Sequence, residues 1–171
     1  MKKIILFMSF CFFAKSYSQL KNSVSLSGGI VQEESYGFLL NYNYNTNNSN
    51  YEIGIVHSIF KKRENESFET EFSNTSLQLG YLHSVLRNRN NSLFINLGIG
   101  VFGGYENVKE YDNLVLISKS GPIGGVYGVG ELDFYISDKF AFILRGQQNY
   151  LLKSSTGKMN PYFGFGVKFN F

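Results

Sequence analysis

The sequence predicts an all-β fold: an eight-stranded antiparallel transmembrane β-barrel over residues 19–171, behind a cleaved N-terminal signal peptide of residues 1–18. Three observations carry this reading. Apolar residues alternate with small or polar ones in segment after segment. No apolar run after the leader is long enough for a membrane helix, so any crossing must use strands. The closing segment, Tyr162-Phe-Gly-Phe-Gly-Val-Lys-Phe-Asn-Phe171, puts Phe163, Phe165, Val167, Phe169 and Phe171 on one strand face and Gly164, Gly166, Lys168 and Asn170 on the other. A soluble sandwich strand can alternate too, but an alternating strand ending on Phe is characteristic of outer-membrane barrels.

The leader sets the compartment. Lys2-Lys3 precedes the apolar stretch Ile4–Ala14, and small residues at Ser16 and Ser18 suit cleavage after Ser18. Lys15 is unusually polar for that position. Cys11 is the sole cysteine, and Phe10 before it suits lipid attachment poorly. The exported chain then has no disulfide and no thiolate metal site, and no cofactor is expected. Without Lys2, Lys3 and Lys15, the 16 basic side chains fall to 13 against 13 acidic ones. That neutrality removes an overall basic footprint, so no direct nucleic-acid binding is expected.

The strands follow in order. Val24, Leu26 and Ile30 alternate with serines and Gly29 in the first, Asn22–Val31, and Tyr36, Phe38, Leu40, Tyr42 and Tyr44 define the second. Asn45–Asn50 is a turn by composition. Tyr51, Ile53, Ile55, His57 and Ile59 oppose Glu52, Gly54, Val56 and Ser58 in the third. Thr75, Leu77, Leu79, Tyr81 and His83 oppose Ser76, Gln78, Gly80 and Ser84 in the fourth. Leu93, Ile95, Leu97, Ile99 and Val101 mark the fifth, and Val126, Leu132 and Phe134 the sixth, opposite Tyr127, Val129, Glu131 and Asp133. Phe140, Phe142 and Leu144 oppose Ile143, Arg145, Gln147 and Asn149 in the seventh, and the closing segment is the eighth. Pro122 and Pro161 are read as lying just before strands, where a missing donor costs least.

An even strand count suits a closed barrel, with the eighth strand pairing the first to remove both edges. Asn45–Asn50, Leu86–Ser92 and Ser137–Lys139 are short connections; of the alternate ones Phe60–Glu71 and Glu106–Gly121 are long, Ser154–Asn160 intermediate and Gln32–Ser35 short. Short turns belong in the periplasm and long loops outside, which places both termini in the periplasm of a bacterial outer membrane.

A barrel of this size has room inside only for its own side chains. Glu52, Glu131, Asp133, Arg145 and Lys168 fall on inward faces, where unpaired charge is very costly. They are expected to form a structural plug of ion pairs with nearby Asn and Gln; the competing reading is a gated polar path. Gly98, Gly100, Gly164 and Gly166 on inward faces are expected to leave room for long side chains.

No catalytic constellation emerges. His57-Ser58 and His83-Ser84 are adjacent pairs, so their side chains point to opposite faces and cannot form a dyad. No small-molecule substrate is expected. Phe169 and Phe171 are read as the signal by which the barrel-insertion machinery accepts the chain, so truncation there should abolish insertion first. Leu114, Val115, Leu116 and Ile117 form an apolar run inside the longest connection. That run reads either as an upward extension of the sixth strand or as an exposed patch for a partner.

Asn96-Leu-Gly-Ile-Gly-Val-Phe-Gly-Gly-Tyr-Glu-Asn107, then Tyr135-Ile-Ser-Asp-Lys-Phe140, then Gly164-Phe-Gly-Val-Lys-Phe-Asn-Phe171 resemble the conjugative-transposon TraO family in order and spacing. The resemblance covers the second half well and the first half through length and strand pattern. It implies an accessory role, without catalytic residues, in the conjugative apparatus at the cell envelope. Other conjugation-apparatus proteins are the partners the resemblance implies, beside the outer-membrane lipid that the apolar strand faces imply. Residue physics alone leaves open a general small barrel for adhesion or envelope integrity. A soluble β-sandwich, the alternative fold, predicts periplasmic fractionation and no heat-dependent gel shift.

Overall fold

A computed structural model describes residues 22–31, 35–46, 48–65, 68–108, 120–153 and 157–171, excepting the side chains of 61–71 and 153. The strands are β1 (Asn22–Ile30), β2 (Tyr36–Asn45), β3 (Ser49–Asn65), β4 (Phe68–Arg87), β5 (Leu93–Val108), β6 (Gly121–Tyr135), β7 (Phe140–Lys153) and β8 (Met159–Asn170). Each pairs antiparallel with its neighbours in chain order, and β8 returns to β1, giving a closed barrel. The seam runs from Ser23↔Asn170 to Ile30↔Phe163, and the Phe171 amide donates to the Asn22 carbonyl at 2.9 Å. Closure pairs both edges of every strand within the ring and leaves one-sided pairing only at strand ends such as β3 beyond Ile59, which is the condition for placing a sheet in hydrocarbon.

Burial is inverted relative to a water-soluble domain. Leu26, Ile99 and Phe163 are 54%, 72% and 60% exposed on the outer face, while Ser25, Asn41 and Gln78 are buried within. A sandwich would trap its apolar faces between sheets. Here they point outward on every strand, a surface that only lipid can cover favourably. At the mouth where β2 connects to β3, β4 to β5 and β6 to β7, outward Tyr44, Tyr51, Tyr81, Phe140 and Phe169 form an aromatic girdle. Tyr51 and Tyr81 lie 5.3 Å apart and Phe140 and Phe169 5.0 Å apart, and Tyr81 shares a 2.8 Å hydrogen bond with Ser49. Aromatic girdles of this kind mark a membrane–water boundary.

Three expectations need correction. Phe60–Glu71 is not a long loop: β3 and β4 stay paired from Ser49↔His83 to Asn65↔Phe68, with a bulge at Arg63/Asn65. Backbone pairing does not require apolar side chains, so this hairpin continues through a charged sequence. The connection expected to begin at Glu106 begins later, because β5 runs to Val108 and Glu106 is buried. Pro122 and Pro161 lie inside β6 and β8 rather than before them. Pro122 pairs with Tyr105, but pairing to β7 starts only at Gly124. Pro161 pairs with Gln148, but pairing to β1 starts only at Phe163. Each ring therefore lies where one side of its strand has no ladder to donate to.

A bulge in β4 has a further effect. Pairing passes from Ser84↔Asn96 to Leu86↔Ile95, leaving Val85 without an opposite residue. The inserted residue shifts the alternation, so Arg87 aligns with inward Phe94 instead of joining outward Tyr81 and His83. In the turn beyond, Asn88 Oδ1 accepts from the amides of Ser92 and Leu93, and Asn91 adopts φ 53°, a left-handed conformation asparagine tolerates.

Candidate functional site

Among the described residues, chemistry converges in the lumen. Arg145, 0% exposed, reaches from β7 across to β3. Its Nη2 donates to Glu52 Oε1 at 2.7 Å and its Nη1 to Glu52 Oε2 at 2.8 Å, a bidentate fork. Nη1 also donates to Glu131 Oε2 at 3.0 Å, and Nε and Nη2 donate to Gln147 Oε1 at 3.1 and 2.9 Å. Lys168 on β8 donates to Glu131 Oε1 at 2.6 Å and to Asp133 Oδ1 and Oδ2 at 2.9 and 2.8 Å. Glu131 thus links two cations, and all five inward charges expected from the alternation lie in one connected cluster.

Neutral donors complete the set. Tyr127 donates to Glu52 Oε1 at 2.8 Å, Asn41 to Glu52 Oε2 at 3.3 Å and Asn96 to Asp133 Oδ2 at 3.0 Å. Gln147 continues to Gln78 at 3.2 Å, and Gln78 to Asn41 at 3.0 Å, closing a ring of hydrogen bonds across the lumen. Every carboxylate oxygen of Glu52, Glu131 and Asp133 accepts at least one hydrogen bond. This satisfaction is what makes buried charge tolerable. Two glycines make space for it: a Cβ at Gly80 or Gly100 would overlap the Tyr127 phenol. A Cβ at Gly80 would also meet Glu52, so this room serves a charged side chain as well as tyrosine, whereas Gly98 and Gly166 face Leu82, Ser27 and neighbouring backbone. Tyr162 similarly lies over Gly164.

A second obstruction lies nearer the opposite mouth. Val31, Leu39, Phe60, Phe72, Val108 and Tyr162 pack together inside the wall, with Phe72 0% exposed. Between the polar ring and this apolar cap is a cavity of about 30 Å³ lined by residues including Asn74, Gln78 and Asn160. That is water-sized. At the turn-bearing mouth a wider vestibule of about 280 Å³ ends on Asp133 and Asn96. The lumen is therefore stopped twice, by ion pairs and by hydrocarbon.

The other candidate residues are dispersed. Phe169 and Phe171 lie on the outer face, 6.2 Å apart and stacked, beside the seam. Leu114–Ile117 lie outside the described residues. His57 faces out and hydrogen-bonds Thr75 at 2.9 Å while Ser58 is buried, and His83 lies 3.3 Å from Ser49. Neither histidine is aligned with its neighbouring serine. The apolar cap was missed because its members are far apart in sequence. Inward parity marks Leu39 and Tyr162 singly, and Phe60 falls in the stretch expected as a loop, so no local pattern joins them.

Comparison with known proteins matches this architecture. Neisserial surface protein A (NspA) superposes with a TM-score of 0.61 at 13% identity, covering 88% of this chain and 94% of that one. Ail, the attachment invasion locus protein of Yersinia pestis, gives 0.57 at 14% identity, with 88% and 96% covered. The outer membrane protein OprG from Pseudomonas aeruginosa gives 0.57 at 11% identity, with 87% and 96% covered. At these identities the likeness shows the fold, that of outer-membrane β-barrels. No curated protein matches the sequence. Residues 19–171 match the model of a family described as conjugative transposon protein TraO.

Proposed function

The chain belongs to the conjugative transposon TraO family, and from that premise we propose that it is a non-catalytic outer-membrane component of the conjugative DNA-transfer apparatus. The observation that supports a structural role is the doubly stopped lumen, in which the charges are fully engaged with one another. Its apolar belt holds it in lipid, and the exposed turns and the tall β3–β4 hairpin are its surfaces for partner subunits. Phe169 and Phe171, exposed beside the seam, serve the insertion machinery as its recognition signal. The leader of residues 1–18 directs export.

Deletion of the gene in a donor strain should strongly reduce transfer frequency, with restoration by the gene in trans. Unchanged transfer would refute the conjugative role and favour a general envelope barrel.

The orientation we propose puts in the periplasm the mouth where β2 connects to β3, β4 to β5 and β6 to β7. Lys158 and Asn90 are exposed at opposite ends. On intact cells Lys158→Cys should react with a membrane-impermeant maleimide, and Asn90→Cys only after the outer membrane is opened. The reverse pattern would invert the assignment.

A further inference from the structure

The vestibule at the turn-bearing mouth is left without a role by a structural plug. We propose that it binds a neutral N-acetylated amino sugar at the end of a glycan. The proposal uses the orientation above only for the compartment that supplies the sugar. Its volume of about 280 Å³ is just under the roughly 300 Å³ at which drug-sized sites begin, so it suits one ring-sized group entering from the open side. Asp133 and Asn96 close its inner end.

The lining selects the chemistry by elimination. Asp133 at the floor is already held by Lys168 through both carboxylate oxygens, so it offers little to a cation. Arg87 is the only cationic side chain in the lining and Asp138 the only other acid. Neither a phosphate nor an ammonium group finds the clustered opposite charge it requires. What remains is an amide-rich wall of Asn45, Asn50, Asn91 and Asn170, since Asn96 is already held by Ser84 and Asp133. Asn45 and Asn170 each give one amide hydrogen, to Ser23 and to the Asp138 carbonyl respectively, and keep the other. Asn50 and Asn170, 8% and 5% exposed, each have an Oδ1 with no hydrogen-bond partner among the described residues.

An asparagine amide presents a donor and an acceptor in one plane. An acetamido group carries the complementary N–H and C=O, and sugar hydroxyls serve as either. Phe94 and Tyr135, edge to face with centroids 5.3 Å apart, give the same cavity an apolar side for the acetyl methyl and ring C–H groups. The 30 Å³ cavity deeper in the lumen also holds amides but has no such room.

The purified barrel in detergent should be titrated calorimetrically with the β-1,4-linked tetramer of N-acetylglucosamine. The glucose tetramer of the same linkage and a neutral alanine–glycine tetrapeptide are run beside it. Saturable binding of the acetamido tetramer alone is expected. Asn50→Ala should weaken it about tenfold, the loss of roughly one well-made hydrogen bond. Asn91→Gly, which keeps the left-handed turn and removes only the amide, should also weaken it. Asn74→Ala in the deeper cavity should leave it unchanged. Each variant is first checked for the heat-dependent gel shift of a folded barrel. The proposal is overturned by no binding, by equal binding of the glucose tetramer, by preference for the peptide, or by indifference to both vestibule substitutions. All readouts use isolated protein, so failure here is separate from failure of the transfer phenotype.

Discussion

Arg145→Ala is expected to destabilise the folded barrel by about 3–5 kcal/mol, the usual cost of stripping one partner from a buried ion pair. Arg145 makes five donor contacts, to Glu52, Glu131 and Gln147. Without it Glu52 keeps only the hydroxyl of Tyr127 and the amide of Asn41. Glu131 retains Lys168, so the damage centres on Glu52. Arg145→Lys should lose less, because the charge persists while the planar fork does not. Arg145→Met combined with Glu52→Leu should recover much of the loss, since no uncompensated charge remains on that arm. Urea titration in lipid vesicles, followed by the heat-dependent gel shift, reads all three. An unshifted midpoint for Arg145→Ala would show that the cluster is not what holds the lumen together.

Phe165→Arg should cost about 2–4 kcal/mol, the penalty for a cation on the lipid face at the bilayer midplane. Phe165 is central in the outward series of β8, opposite Gly28 on β1 and Leu144 on β7, and 58% exposed. It stacks on Phe142 at 5.5 Å, a contact worth a further ~0.5–1.5 kcal/mol that arginine forfeits in part. Phe165→Leu should be nearly silent. In water, Phe165→Arg would be harmless or solubilising on so exposed a site. The same titration therefore tests the lipid assignment directly, and a stable Phe165→Arg barrel would contradict it.

Much of this architecture was legible in the sequence because a barrel wall has two environments and a strand alternates with period two. The contrast between Phe165 and Lys168, or Leu132 and Glu131, identifies the faces without knowledge of the neighbours. Partner choice was not legible. That Arg145 selects Glu52 rather than Asp133 depends on strand stagger across the lumen, which no local pattern records. The heights of β3, β4 and β5 were hidden for a related reason. Above the lipid the wall needs no apolar face, so Lys61, Lys62 and Arg63 resemble a loop while their backbones remain paired. The inserted Val85 moves Arg87 to the other face, and a single bulge leaves little trace in composition.

The seam between β1 and β8 also governs the order in which the wall can form. Every other pairing joins consecutive strands, whereas Ser23 meets Asn170 from nearly the opposite end of the described chain. Contacts at such separation demand that most of the chain be arranged first, and they dominate the slow part of a folding reaction. The long β3–β4 hairpin can zip locally and early. Closure between β1 and β8 can come only after the intervening hairpins have brought the two strands within reach. The barrel therefore has a kinetic front at its tallest hairpin and a kinetic back at its seam. Substitutions at Gly29 and Gly166, where an added Cβ would meet the facing backbone, should slow the last step far more than the first.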